Sequence, residues 1–486
     1  MALSENKLTA LSPARLLRRG FNSRPTLIER KAILCLVDIL IALAACFGAL
    51  WLWSFTRLEA FNLVYIQSHA QWLVSLVIIW IFLAWVFDLY HLQLVNKPTV
   101  AVFRLVGIAS VVLFGYLLVF FTLAHQGILP RLPFLYFLAL TTVGIAVWRW
   151  GYSEVWGRTV FRQRLLIIGS GWAGQTIAKA IQEYPHHFDI LGFIDDDDDT
   201  VPKTDIDGLP IFGTVTSLLD IARLHEADAV VCAIPHNLHP NAFQALLDGQ
   251  ASGLPVIQMA TFYEELTGRV PVQHVRNDWL LPIEATNSQV SLAYHLFVRL
   301  FDVGFSLIGG LVFLFIGPII AMLIKLDSTG PIFYRQIRSG KGGQPFELIK
   351  FRSMSTDAEK GTGAQWAVDN DPRVTRIGRF LRVSRLDELP QILNILRGDL
   401  HFIGPRPERP EFVEQLEQEI PFYRARLVMR PGLTGWAQVK YRYGSTVEDA
   451  LMKLQYDLYY IKNRSIWLDL LIMVRTVVVV FTFKGT

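Results

Sequence analysis

The sequence predicts a mixed membrane protein: a four-helix transmembrane bundle, a Rossmann-like α/β domain, and a small α/β domain entered through a re-entrant membrane helix. Three observations carry this. Hydrophobic residues make up 52% of the 486-residue chain and charged residues only 18%, a balance that points to membrane segments. The first third holds four long apolar runs. From residue 163 the pattern turns to short buried strands, glycine turns and helices.

The apolar runs are Ala32–Trp53, Gln71–Tyr90, Leu105–Leu123 and Pro133–Trp150. Each approaches the ~20 residues that cross a bilayer, so four spans are expected over 32–150 rather than four helices of a soluble core. The first run starts too late and is too long for a cleavable signal peptide. Lys7, Arg15, Arg18, Arg19, Arg24, Arg30 and Lys31 precede it, and only Arg57 lies in the loop after it. Arg158, Arg162 and Arg164 follow the fourth run. The positive-inside bias then puts the basic segment 1–31 and everything after Trp150 in the cytoplasm. A net charge of +4 is modest, and the chain has no zinc spacing or nucleic-acid motif, so no nucleic-acid partner is expected. Cys35 and Cys46 lie in the first run and Cys232 in a strand pattern, which suggests neither disulfides nor a metal cluster.

A Rossmann-like domain is expected over 163–280. "RLLIIGSGWAGQTIAKAIQEY" reads as strand, glycine turn and helix, with Gly169, Gly171 and Gly174 in G-x-G-x-x-G spacing. "DILGFIDDD" is a second strand, ending at Asp195, where an acid can hold a ribose hydroxyl. A purely structural role for the same glycines, a tight turn and close strand–helix packing, stays open. No tyrosine has a lysine four residues on, so the Tyr-x-x-x-Lys pair of short-chain dehydrogenases is absent and redox chemistry is not expected.

A fifth apolar run, Leu300–Ile324, is long enough to span. Arg299 precedes it, Lys325 follows it, and the next forty residues are basic, so spanning would carry them outside against the charge bias. Gly317-Pro318 lies within the run, and proline removes a backbone donor and clashes with the preceding turn. A helix–break–helix, continuous through the break or nearly so, that enters and leaves by one face is expected over 294–327, with a kinked fifth span as the alternative.

The remaining 328–486 opens on "PIFYRQIRSGKGGQPFELIKFRSM", a hairpin around the turn Gly340–Gly343. It is not a P-loop: Arg335 stands where the motif needs glycine and Gly342 where it needs serine or threonine. Arg373, Arg376, Arg379, Arg382 and Arg385 recur every third residue, as a helical stripe towards water, lipid phosphate or a pyrophosphate would. "SRLDELPQILNILRGDLHFIGPRP" sets Asp387 beside Glu388. Pro390 is tolerated only in a first helical turn, so a helix over Glu388–Leu396 with Asp387 as its N-cap is one reading. The other is chemical. Adjacent residues point different ways and so take different jobs. Lys350, Arg352, Arg385 and Arg406 would hold a carboxylate ionised. An ionised aspartate is a competent nucleophile towards phosphorus, and attack by an anion on an anion suits Mg²⁺ held by one or two carboxylates plus substrate phosphates.

The stretch from about Tyr294 onward resembles the monotopic phosphoglycosyl transferases, bacterial sugar transferases that load a polyprenol phosphate. The matching pieces are "KFRSM", "DPRVTRIGRFLR", "LDELPQILNILRGD", "GPRPERPEF", "RPGLTGWAQV" and "YDLYYIKNRSIWLD". Together with the preceding helices and α/β domain, they are similar to the large form of that family, which includes undecaprenyl-phosphate glucose and galactose phosphotransferases. The resemblance implies that Asp387 attacks a UDP-sugar, releases UMP and carries the phosphosugar until undecaprenyl phosphate takes it. It implies Mg²⁺ at Glu388. It implies diphosphate or nucleotide contacts from Lys350, Arg352, Arg385, Arg406, Pro407 and Arg430, with ion pairing within the domain as the alternative for Lys350, Arg352, Arg406 and Arg430, and an ordering or binding role for Asp457. It makes Gly317-Pro318 the hinge of the membrane helix, where many members have Ser-Pro. His401 replaces a small polar residue of the family pattern and is read as incidental. The expected home is a bacterial cytoplasmic membrane, with membrane lipid as a partner and a homodimer plausible. The last apolar stretch, Ile466–Phe483, holds Asp469 and Arg475 and is expected to be interfacial or partly buried. Readings from other classes are a membrane-anchored nucleotide sensor or scaffold and a nucleotide-sugar dehydratase.

Overall fold

The computed structural model describes residues 27–58, 61–87, 89–90, 98–123, 131–156, 162–185, 187–196, 205–234, 239–274, 292–355, 371–441, 444 and 446–481. The chain divides into two compact units, Met1–Phe262 and Tyr263–Thr486.

The first unit begins with four long helices: α1 (Leu27–Arg57), α2 (Leu63–Val86), α3 (Pro98–Leu123) and α4 (Arg131–Trp156). They close a ring in which α1 packs on α2, α2 on α3, α3 on α4 and α4 back on α1. Trp80, Leu105, Ile108, Phe137 and Ile145 fill the centre, and Leu36, Leu40, Phe103, Phe114 and Val147 face outward. Apolar residues on both sides of a helix are what a lipid surround requires. Among the described residues four helical stretches are long and apolar enough to cross a membrane: Glu29–Thr56, Thr99–Phe121, Leu132–Glu154 and Tyr294–Asp327. The expected second span is a 24-residue helix, whose described apolar stretch is the shorter Val74–Val86.

One charge pair is locked inside the ring. Arg149 Nη2 of α4 donates to Asp38 Oδ2 of α1 at 2.6 Å, with both side chains fully buried. Removing one partner of such a pair strands the other charge. Arg149→Leu is therefore expected to destabilise the first unit by about 3–5 kcal/mol. Thermal unfolding in detergent checks this, and Asp38→Asn/Arg149→Leu together should recover most of the loss.

The rest of this unit is a parallel sheet. Its strands are β1 (Gln163–Ile168), β2 (Phe188–Ile194), β5 (Ala229–Cys232) and β6 (Val256–Gln258), in the order β2-β1-β5-β6. Between them come α5 (Trp172–Gln182), a two-strand turn of β3 (Asp205–Ile206) and β4 (Leu209–Pro210), α6 (Leu218–Leu224) and α7 (Pro240–Ala251). Leu165–Ile168 are fully buried, as strands covered on both faces should be. Helix α8 (Met259–Thr267) carries the chain across the unit boundary. The expected domain end at residue 280 lies outside the described residues. Val270 and Val272 belong to the core of the second unit, with Phe412, Tyr423 and Leu454.

The second unit opens with α9 (Leu292–Asp327), a single helix of 36 residues. Helix α9 runs on through Gly317-Pro318, continuous as the sequence allows. The proline still leaves the Leu314 carbonyl without its intrahelical donor. Near the start of α9, Arg299 donates to the carbonyls of Ile395 and Leu396 at 3.0 and 2.9 Å, and Asp302 accepts from Phe402 N at 3.0 Å. In its last turns, Ile320 and Ile324 pack with Phe351 and Leu381, and Asp327 accepts from Ile377 N at 3.0 Å. Both ends are thus held by one folded body. The other face, with Leu300, Leu307, Leu311, Leu314, Phe315 and Met322, is exposed.

Then come β7 (Phe333–Ser339) and β8 (Pro345–Phe351), the antiparallel hairpin the glycine-rich turn predicts. Helix α10 (Arg376–Val383), α11 (Ile392–Arg397), β9 (His401–Ile403), α12 (Pro410–Glu419), β10 (Gly432–Thr434), α13 (Trp436–Lys440), α14 (Val447–Lys462) and α15 (Ile466–Phe481) complete it. The arginine stripe does not form on one helix. Arg376, Arg379 and Arg382 lie on α10, whereas Arg373 is tied to Asp371 before it and Arg385 follows it.

Candidate active site

Arg385 makes the turn that builds the site. It adopts the left-handed conformation with φ of 58°, which L residues other than glycine rarely take. This ends α10 abruptly and starts a 3₁₀ helix over Leu386–Gln391, so Asp387 is not an α-helical N-cap and its side chain caps nothing. In 3₁₀ geometry adjacent side chains diverge by about 120°. Asp387 and Glu388 are both buried, and they meet different surroundings.

Glu388 is surrounded by cations. Its Oε1 accepts from Lys350 Nζ at 3.0 Å and from Arg406 Nη2 at 2.9 Å, and Arg385 lies 4.0 Å away. Burial alone would raise its pKa, but Lys350, Arg406 and Arg385 together hold the carboxyl well below the usual range. Asp387 is the opposite case. Burial, then the adjacent Glu388 charge, pushes its carboxyl above the usual range, against Lys350, Arg382 and Arg385. The expectation that the cations lower the Asp387 pKa is corrected: they settle on Glu388. Asp387 Oδ1 is buried with no hydrogen-bond partner among the described residues. A buried orphan acceptor costs about 1–3 kcal/mol, and such groups persist where chemistry needs them.

The structure gathers Asp387, Glu388, Lys350, Arg385 and Arg406. Other candidates go elsewhere. Arg352 is buried and donates to the carbonyls of Ser328 and Thr329, both at 2.8 Å, so it closes the C-terminal end of α9 where a cation suits the helix dipole. The Pro407 carbonyl accepts from Arg338 at 3.1 Å. Asp457 is buried and forms a 2.8 Å ion pair with Arg426. Arg430 lines a separate cavity with His401. His401 is not incidental: its Nδ1 lies 2.6 Å from buried Asp302 of α9.

Sequence reasoning missed Arg426. It is fully buried, its Nη1 donates to the Tyr423 hydroxyl at 2.6 Å and its Nη2 to the Arg406 carbonyl at 2.9 Å. It thereby fixes the backbone that presents Arg406 to Glu388. Nothing in "YRARLVMRPG" marks this arginine as interior, because its partner Asp457 comes thirty-one residues later.

In the α/β sheet, Gly169 turns with φ of +95°, and a Cβ on Gly174 would stand 1.9 Å from the Gly169 carbonyl oxygen. Gly174 thus serves the contact between helix and turn. The Ser170 N–H, in the loop where a pyrophosphate would sit, donates to Asp195 Oδ2 at 2.6 Å, and the Ser170 hydroxyl also meets that oxygen. Gly171 precedes α5 with open space around its Cα.

Known proteins match both parts of the chain. The family described as bacterial sugar transferase matches residues 293–483, and the one described as CoA-binding domain matches residues 85–246. A UDP-N-acetylgalactosamine-undecaprenyl-phosphate N-acetylgalactosaminephosphotransferase of Aeromonas hydrophila is 43% identical over 48% of this chain and 53% of its own. A UDP-glucose:undecaprenyl-phosphate glucose-1-phosphate transferase of Xanthomonas campestris pv. campestris is 48% identical over 33% of each. The chain thus spans about half the length of the first of these relatives and a third of the second. A protein of the latter description from Klebsiella pneumoniae is 33% identical over 67% of this chain and 68% of its own. On that coverage, together with the matched residues 293–483 that contain the acid pair, the chain belongs to the bacterial sugar transferase family.

Proposed function

We propose that this protein transfers a sugar 1-phosphate from a UDP-sugar to undecaprenyl phosphate, using Asp387 as nucleophile. The observation that carries this is the unpartnered Asp387 Oδ1, beside a Glu388 that draws Lys350, Arg385 and Arg406 into the same site. An Asp387 carboxylate oxygen attacks the phosphorus next to the sugar. The bond from that phosphorus to the bridging oxygen breaks, and UMP leaves with the electron pair. An oxygen of undecaprenyl phosphate then attacks the same phosphorus and releases the Asp387 carboxylate. Lys350 and Arg406, held in place by Glu388, neutralise phosphate charge during both displacements.

Among the described residues no group of three or more His, Cys, Asp and Glu converges, so a closed protein cage for a metal is not present. The acid pair does fit Mg²⁺, which commonly takes one or two carboxylates and completes its shell with substrate phosphates. Asp387 Oδ1 is unpartnered among the described residues, and the three cations on Glu388 all meet Oε1. Glu388 would hold the ion through the carboxylate oxygen that these cations do not meet, and the ion would supply further neutralisation of diphosphate charge.

The ends of α9 fit re-entry. Arg299 and Asp327 are anchored to one folded body, so an α9 that crossed a bilayer would carry that body through it. We read α9 as entering and leaving by the cytoplasmic face of a bacterial membrane, where UDP-sugars are available. Single cysteines placed near Ser328 and at the start of α9 in intact cells should both resist an impermeant thiol reagent. Labelling of either one contradicts re-entry.

Glucose is the sugar in the names of the Xanthomonas campestris and Klebsiella pneumoniae relatives, and N-acetylgalactosamine is the sugar in that of the Aeromonas hydrophila one; none of the three names galactose. The test is UMP release with UDP-glucose, UDP-N-acetylgalactosamine and UDP-galactose in turn, with Mg²⁺. UDP-glucose should release UMP fastest. Absence of UMP with all three contradicts the reading. Because the Asp387 carboxyl is raised and acts ionised, the rate of the first displacement should fall with acid through a pKa above the usual value of about 4.

A further inference from the structure

The second unit holds a cavity of about 750 Å³. Its walls come from the start of α9, from β9, from the segment before β10 and from the start of α15. The acid pair is not among its lining residues. Arg299, Lys341, Arg430 and Arg464 line it, against the two acids Asp302 and Asp469. Both acids are turned to internal donors. Asp302 lies against His401 and accepts from Phe402 N, and Asp469 accepts from the hydroxyls of Tyr294 and Tyr460 at 2.6 and 2.7 Å. Arg299 donates to neutral carbonyls, which leaves its charge uncancelled. Lys341 and Arg430 are exposed at the wall. Four cations, Arg299, Lys341, Arg430 and Arg464, thus face two acids in the wall.

The same walls are greasy. Phe297, Val298, Ile466 and Leu470 line the cavity, and beside it Leu296, Leu300 and Trp467 are exposed on α9 and α15. The volume lies within the range of about 300–1,000 Å³ typical of small-molecule sites. A cationic wall continuous with an apolar surface on a membrane helix suits a ligand with a phosphate at one end and hydrocarbon at the other. We infer that this cavity seats the head group of an anionic glycerophospholipid, with its phosphate between Arg430 and Lys341 and its acyl chains over α9 and α15. Arg430 then serves membrane attachment rather than the sugar nucleotide. The inference does not depend on the transfer reaction.

The full chain is assembled in nanodiscs of phosphatidylcholine alone or of phosphatidylcholine mixed with phosphatidylglycerol, and retained lipid is counted by native mass spectrometry. Phosphatidylglycerol should be retained about tenfold over its share of the bilayer. Lys341→Ala/Arg430→Ala should abolish the preference while leaving the thermal midpoint unchanged, since both side chains are exposed. Equal retention of the two lipids overturns the inference, and so does a preference that survives in the double variant. Displacement by inorganic phosphate would show a free-phosphate site, and displacement by undecaprenyl phosphate would assign the cavity to the carrier. Either result also overturns it.

Discussion

Replacing Asp387 by asparagine is expected to lower turnover by about 10⁴-fold or more while leaving the fold at least as stable as before. The first half follows from chemistry, because an amide oxygen cannot form the acyl phosphate bond and leave again as a carboxylate. The second half follows from burial. A carboxyl whose folded pKa lies above its unfolded value opposes folding once the pH exceeds the unfolded value, so at neutral pH Asp387 costs stability. An uncharged amide removes that cost and also separates the site from the negative charge of Glu388. Turnover with UDP-glucose and thermal unfolding, measured on the same preparation, check both halves. A variant that loses activity because it unfolds would be a different result.

The second large effect is structural. Arg426→Met should destabilise the second unit by about 3–5 kcal/mol at neutral pH, because it strands the buried carboxyl of Asp457. Burial already pushes that carboxyl up to about 6 beside Arg426. Without the arginine it takes a proton more readily still, so the loss should be larger at about pH 8 than at about pH 5. The double variant Arg426→Met/Asp457→Leu should regain most of the stability, since apolar side chains of like size replace buried pairs well. It should not regain activity, because the Arg406 carbonyl has still lost its donor. Denaturant titration and UMP release on the two variants separate the roles.

Much of the architecture was legible in the sequence because it rests on local pattern. The apolar runs predict long helices by length alone. Gly340–Gly343 between alternating strands predicts the hairpin, and the glycine spacing after β1 predicts the strand–turn–helix of the parallel sheet. The acid pair was legible as a motif, but its electrostatics were not. Which carboxylate collects the cations depends on the left-handed turn at Arg385 and on Lys350 arriving from β8, and neither shows in local spacing. Arg352 illustrates the same limit. It is two residues from Lys350 on the strand pattern, yet it turns to the end of α9. Pro318 is a different case, because the helix runs on through it. Proline weakens a helix without obliging it to break, and contacts with Phe351 and Leu381 hold its neighbours in register.

The most direct measurement is the covalent one. The protein is incubated with UDP-glucose and Mg²⁺ without lipid acceptor, quenched in acid, digested and examined by peptide mass spectrometry. The peptide containing Asp387 should carry one hexose phosphate, sensitive to hydroxylamine, and Asp387→Asn should carry none. Release of UMP with no modified peptide, or with the phosphosugar on any other residue, would contradict the account.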